Sequence, residues 1–396
     1  MPNRNPRLWS YSLPVALALL APFNILASLG MDIYLPVVPA MPAILGTTPA
    51  TIQLTLTLYM IMLGVGQVVF GPLSDRWGRR PVLLGGALLF AGTSLALAAT
   101  STAGLFLALR VAQAAGASAM LVALFATVRD VYAGRPESAV VYSLLNAMLA
   151  CVPAFGPIVG ALIAENLGWR AIFMGLAAPA VVMLVWSLAG WHETRPRDEG
   201  MRGVSFAPML RNLPFWAYTL AFGTAMGTFF VFFSTAPRVL IEKAGYSEFG
   251  FSLAFATVAF IMMATARFAA RFVERWGIAG SVMRGMATMI LGAFLLLAGA
   301  LFLPPSFLSF ILPMWLMAVG IVFTTSVTAN GALEDFGDMA GTAVALHFCI
   351  QSLIVGLVGT AFVVAFDGAT AMPLIAYVTV MAVVTLLALM RLRRWS

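Results

Sequence analysis

Twelve stretches of this chain run apolar for about 20 residues or more, the length of a bilayer-spanning helix. No other feature constrains the fold as much. Hydrocarbon offers no partner to a free backbone N–H or C=O, so runs of this kind can cross a membrane only as helices. A membrane β-barrel would instead alternate polar and apolar residues in segments of ~10. The runs fall at about 11–40, 50–71, 80–99, 103–128, 138–163, 169–190, 213–237, 249–271, 279–302, 307–332, 340–366 and 370–391. Composition agrees with this reading. Of 396 residues, 62% are hydrophobic and 9% are charged, against about 25% charged in a soluble domain. A disordered chain, a nucleic-acid-binding domain and an ordinary soluble enzyme are excluded.

The net charge of +7 reports orientation. Eighteen of the 22 basic residues fall at one side of the runs, beginning with Arg4 and Arg7 and ending with Arg391, Arg393 and Arg394. Arg170, Arg238 and Lys243 fall at the other side, and Arg110 lies inside a run. Basic loops stay in the cytoplasm, so both termini are expected there. No small-residue cleavage site and soluble domain follow the first run, which is expected to be a span and not a signal peptide. Cys151 and Cys349 both lie in apolar runs, which suggests neither a disulfide scaffold nor a metal site.

The longest polar stretch, 191–212, divides the runs six and six. Residues 1–190 and 213–396 are expected to be two six-helix bundles and 191–212 a cytoplasmic linker. A repeat supports the division. Ser74-Asp75-Arg76-Trp77-Gly78 recurs as Val273-Glu274-Arg275-Trp276-Gly277, 199 residues later. Parallel repeats of this kind mark transporters. The expected fold is an all-α membrane protein with 12 transmembrane helices in two pseudo-symmetric halves.

Ionisable groups at membrane depth are costly and usually functional. Asp32 is the only acid well inside a run, and Arg110 the only base. Asp32 is flanked by Gly30, Pro36 and Pro39, which loosen the helix around it, and is the candidate proton carrier. Arg110 either lines a cavity or holds helices together through Gln113, three residues on. Asn24, eight residues before Asp32, can bind a polar ligand but cannot carry a proton. His347 and Gln351 lie four apart on one helical face. The seventh run holds Phe229 and Phe233, which face either a cavity or lipid.

Two motifs speak to helix movement. The loop Gly71-Pro72-Leu73-Ser74-Asp75-Arg76-Trp77-Gly78-Arg79-Arg80-Pro81 surrounds an acid with glycines and arginines. Gly71 is expected to allow a close helix approach, Asp75 to accept from another helix N-terminus, and Arg76, Arg79 and Arg80 to bridge to acids. In the fifth run Gly156-Pro157 with Gly160 forms a small-residue stripe suited to helix packing. Lys243 is the only lysine and precedes Ala244, so no phosphate-binding Gly-Lys-Ser/Thr loop exists. No His-Glu-x-x-His zinc motif occurs either. No cofactor is expected, and transport would run on an ion gradient.

With these residues in view the chain resembles the major facilitator superfamily over essentially its whole length. Gly71–Pro81 looks like that family's loop between spans two and three. Arg110 with Gln113 looks like its fourth-span motif, and Gly156-Pro157 with Gly160 like the fifth-span motif of its drug/proton antiporters. Residues 27–36, 125–132, 230–237 and 327–333 are similar to the bacterial phenicol exporters. The resemblance implies a monomeric inner-membrane antiporter that moves chloramphenicol and florfenicol out and protons in by alternating access. It implies a midplane pocket drawn from Asn24, Asp32, Tyr59, Arg110, Gln113, Met148, Phe155, Phe229, Phe233, His347 and Gln351. One position departs from the pattern, since an acid is expected where this chain has Asn24. Either Asp32 alone carries the proton, or coupling is impaired.

Overall fold

The computed structural model describes residues 9, 11–132, 135, 137–195, 206–336 and 339–395. The expected linker lies partly outside them, as do Arg4, Arg7, Arg197 and Arg202. Among the described residues, twelve helices are long and apolar enough to cross a membrane. The first six are Leu13–Asp32 (extended by a 3-10 turn at Leu35–Val37), Pro49–Trp77, Arg79–Ala99, Ala103–Tyr132, Glu137–Leu167 and Trp169–Gly190. Of the second six, the seventh is Leu213–Pro237, carried on by a π-helical turn at Arg238–Lys243. Glu248–Ala266, Ala269–Phe302, Leu312–Leu333, Ala340–Leu353 with its continuation to Ala365, and Met372–Trp395 complete the set. Twelve crossings return both chain ends to one face, the terminal face; the opposite one is the far face.

Local chemistry sets where the helices begin. Thr48, Asn212 and Ser247 accept from the N–H groups of Thr51, Phe215 and Gly250 at 3.2, 2.7 and 2.9 Å, satisfying N–H groups that have no partner within the helix. The eighth span ends at Ala266, five residues earlier than the hydropathy suggests. Arg267 and Arg271 draw the chain out of the apolar layer. The following helix starts at Ala269 and bends at Gly277, where φ is 66°, a conformation that glycine adopts without steric penalty.

Small residues set how closely the helices pack. Gly86 on the third span meets the Gly116 carbonyl on the fourth, and Gly285 on the ninth meets the Gly320 carbonyl on the tenth. Without side chains there, backbones approach closely, which is how helices gain contact area in lipid. The described hydrogen bonds between the two halves all lie toward the far face. Gln53 Nε2 donates to Ser234 Oγ at 3.0 Å, and the hydroxyls of Thr57 and Thr360 meet at 2.5 Å. Ser252 Oγ donates to the Pro157 carbonyl at 3.0 Å, and the Phe249 N–H to Glu165 at 3.2 Å.

Candidate substrate and proton site

The first span ends its regular helix at Asp32, which is 6% exposed. The fifth span seats directly on it. A Cβ at Gly156 would stand 3.0 Å from the Asp32 Cβ, and one at Gly160 would overlap the Ile33 carbonyl. The glycine stripe therefore packs against the backbone that carries the acid. Asn24 ties the same two spans together one layer deeper. Its Nδ2 donates to the Leu145 carbonyl at 2.9 Å, and its Oδ1 is buried without a partner.

Arg110 is fully buried. Its Nη1 donates to the Gly30 carbonyl and to Gln113 Oε1, both at 2.7 Å. Gln113 passes the chain on to Ser94 Oγ at 2.8 Å. The guanidinium lies over the rings of Tyr59 and Tyr34, at 4.5 and 5.0 Å from their centroids. Tyr59 is held by the Ala27 carbonyl at 3.0 Å. Among the described residues no carboxylate pairs with Arg110, and its Nε and Nη2 have no hydrogen-bond partner. A buried cation is costly unless paired. Here two oxygens and two ring faces compensate it in part, and two donors stay free. Arg110 thus both holds helices together and presents unused donors.

The remaining candidates are spread out. Met148 is half-buried, three residues beyond Leu145. Phe155 is half-exposed and stands edge-on to Phe260 of the other half at 6.0 Å. Phe233 is enclosed and packs with Phe229 and Phe232 around Phe255, so its ring belongs to the core of the second half. His347 is buried, with Nδ1 on Thr219 Oγ1 at 2.8 Å and Nε2 unpartnered. Gln351 donates to Ser352 Oγ at 2.7 Å and leaves Oε1 unpartnered. The structure gathers Tyr59, Arg110 and Gln113 into one cluster and sets His347 and Gln351 apart in the second half.

Residues 20–360 match the pattern of the Major Facilitator Superfamily. The chain belongs to this superfamily. It is 50% identical over 381 residues to a chloramphenicol resistance protein of Pseudomonas aeruginosa, covering 96% of this chain and 90% of that one. It is 29% identical to the Escherichia coli multidrug resistance protein MdtL over 79% of each. Among solved structures, a D-xylose-proton symporter superposes with a TM-score of 0.74 at 19% identity, covering 95% of this chain and 97% of that one. A POT family transporter in complex with 5-aminolevulinic acid superposes with a TM-score of 0.76 at 14% identity, over 95% of each chain. Both likenesses show the fold alone.

The superfamily loop of this chain forms a closed charge cluster. Arg79 is 2% exposed and donates to Ser74 Oγ, Asp75 Oδ1 and Asp130 Oδ2 at 3.2, 2.5 and 2.8 Å. Gly78 makes the turn between two helices with φ at 108°. Three expectations are corrected here. No atom lies within 4 Å of where a Gly71 side chain would start, so Gly71 is not a site of close approach. Asp75 pairs with Arg79 and caps no helix among the described residues. Its expected role falls to Glu193, whose carboxylate accepts from the N–H groups of Arg79, Arg80, Thr194 and Arg195 at 2.8, 3.1, 3.0 and 2.9 Å. Arg80 reaches the Leu188 carbonyl at 2.6 Å and not an acid; Arg76 offers its own carbonyl to Arg195 at 2.7 Å. Only Arg79 of the three bridges to acids among the described residues. Nothing in the sequence marks Glu193 and Asp130 for these roles, because their partners are 114 and 51 residues away.

Proposed function

We propose that this chain exports phenicol antibiotics, chloramphenicol and florfenicol, across the bacterial inner membrane in exchange for protons. The terminal face is then cytoplasmic and the far face periplasmic. The observation that carries the cargo class is the 50% identity to a chloramphenicol resistance protein over nearly the whole chain. The site chemistry supports it. Phenicols are neutral and aromatic, with nitro, amide and hydroxyl groups. The free donors of Arg110 suit their acceptor oxygens without demanding an anion. Asp32 carries the proton, and the fifth-span glycines hold it where the two halves move. No step makes or breaks a covalent bond in the cargo. The protein works as a monomer.

Asn24 fits this reading. Its amide donates to a carbonyl, as a protonated carboxyl could and a carboxylate could not. This chain therefore keeps the first and fifth spans bonded whatever the pH, and Asp32 alone titrates. Radiolabelled chloramphenicol accumulation in sensitive bacteria tests the reading. Accumulation should be low and should rise when a protonophore is added. Accumulation equal to that of empty-vector cells, with the protein present in the membrane, would sink it. Asn24→Asp separates the two views of coupling. Raised export would mean that coupling is impaired in this chain, whereas equal or lower export supports Asp32 alone.

The likeness to MdtL favours a second reading, a broader multidrug antiporter. A panel of unrelated cationic drugs divides the two, since export of several of them would favour breadth.

A further inference from the structure

At the far face a cavity of about 250 Å³ opens between the two halves. Its first-half wall carries Pro39, Pro42, Pro49 and Ala50, and its second-half wall Arg238, Glu242 and Asp367. Its floor is the Gln53–Ser234 hydrogen bond, one of the few that join the halves. Three prolines fix φ along one wall, so that wall is preorganised. The other wall follows Pro237, where the chain takes a π-helical turn over Arg238–Lys243, a distortion that recurs at functional sites.

The charge at the mouth is incompletely used. Arg238 Nε stands 3.5 Å from Glu242, and Nη2 stands 3.6 Å from Asp367. Both are near enough for charge attraction, yet Nε is buried and makes no hydrogen bond. An anionic ligand would be repelled by the two carboxylates, and a cation, although drawn to them, would have to displace Arg238 from both. The Arg238 side chain is 22% exposed, so a neutral molecule with an apolar body and an acceptor oxygen can reach the guanidinium from the cavity without either cost.

We propose that this cavity is a release-side binding site for the same class of neutral, acceptor-bearing aromatic cargo. The proposal rests on the orientation and cargo class given above. Because the walls belong to different halves, the cavity exists only while the far-face seam is closed. A ligand inside therefore binds that state better and shifts the balance toward it. Released drug rebinding from outside would slow its own export.

Cysteine protection tests this. In a chain carrying Cys151→Ala and Cys349→Ala, Ala50→Cys places a thiol on the cavity wall. Ser101→Cys places one at the far face elsewhere. Both are labelled on intact spheroplasts with a membrane-impermeant maleimide, with and without chloramphenicol. The drug should slow labelling at Ala50→Cys about fivefold at high occupancy and leave Ser101→Cys unchanged. Adding Arg238→Gln should remove the protection. Where Arg238→Gln does not fold, Val364→Phe, which fills the cavity from an exposed position, should remove it instead. Protection that survives these changes would mean that the drug acts from another site, which overturns the proposal. Absent protection with export intact overturns the cavity alone. Protection without export keeps the cavity and sinks the exporter reading; loss of both overturns both.

Discussion

The two halves share a backbone plan and differ in chemistry. Pro49–Trp77 in the first half corresponds to Glu248–Trp276 in the second, shifted by 199 residues. Both segments are capped by a hydroxyl residue, Thr48 and Ser247, and both are followed by a glycine with positive φ, Gly78 and Gly277. The fifth span's Gly160 sits on Ile33; its counterpart Gly359 sits on Phe230 and Val231 of the seventh span. At the same offset, however, Asp32 becomes Val231 and Arg110 becomes Ser309. The loop differs in the same way. Arg79, caged by carboxylates, becomes Ile278, which packs near Gly331. Trp77 is 60% exposed, whereas Trp276 stacks on Phe272 at 5.0 Å and lies under Arg284. Helix reversal and close packing are demands that both halves must meet. The buried charges Asp32, Arg79 and Arg110 have no charged counterpart at these positions of the second half, so the first half carries the features that the proposed proton step and the loop latch would use.

The largest expected effect tests that asymmetry directly. Asp32→Asn should bring protonophore-sensitive export down to background. Val231→Asn, at the matching place, should cost stability on the order of 1–3 kcal/mol for a buried amide while leaving export sensitive to the protonophore. Drug accumulation measured with both variants decides it. Sensitive export that persists in Asp32→Asn would mean that the titrating group lies elsewhere.

The loop offers a second contrast, smaller in effect. Arg79→Gln takes from Asp130, whose side chain is 6% exposed, its closest ion-pair partner, leaving only the longer contacts with Arg129 at 3.6 Å and Thr194 at 3.5 Å. The loss should be about 2–3 kcal/mol. Asp75 adds little to it, being 57% exposed. Arg275→Gln alters an exposed residue in the second copy and should stay within about 0.5 kcal/mol. Thermal unfolding in detergent gives both values. Equal shifts would mean that the repeat conserves the charge lock as well as the turn.

Hydropathy alone located all twelve spans, because a bilayer demands long apolar runs and little else resembles them. Asp32 and Arg110 were visible for the converse reason, as charges in a region where charges are rare. What surrounds them was not visible. Ser94, the Gly30 carbonyl and Glu193 meet their partners across 19 to 114 residues, and helical periodicity carries no signal over such distances. The break at Arg267 is blurred in sequence because Phe268, Ala269 and Ala270 keep the hydropathy high past the end of the helix at Ala266. Gly71 misled for a related reason. A glycine in sequence marks permission for close approach, and the structure shows Gly64 and Gly66 using that permission on the same span.

The smallest contrast concerns the paired glycines. An alanine gains about 1 kcal/mol of helix propensity over glycine, so Gly→Ala is stabilising wherever a methyl group fits. At Gly359 the nearest atoms belong to side chains, with Phe230 Cδ1 at 3.0 Å and Val231 Cγ2 at 3.4 Å. The Val231 contact is an ordinary one and Phe230 need give only a few tenths of an ångström, so the gain and the crowding should nearly cancel, leaving stability within about 1 kcal/mol. At Gly160 the obstacle is the Ile33 carbonyl, which cannot rotate away without moving the backbone. Overpacking of that kind costs about 1–3 kcal/mol. The movement would also reach Asp32, the neighbouring residue. Gly160→Ala should therefore lose more export than its unfolding temperature implies, while Gly359→Ala should lose little of either. If the two variants behave alike, the fifth span's glycines serve only packing, and the first half owes its special role to its charges alone.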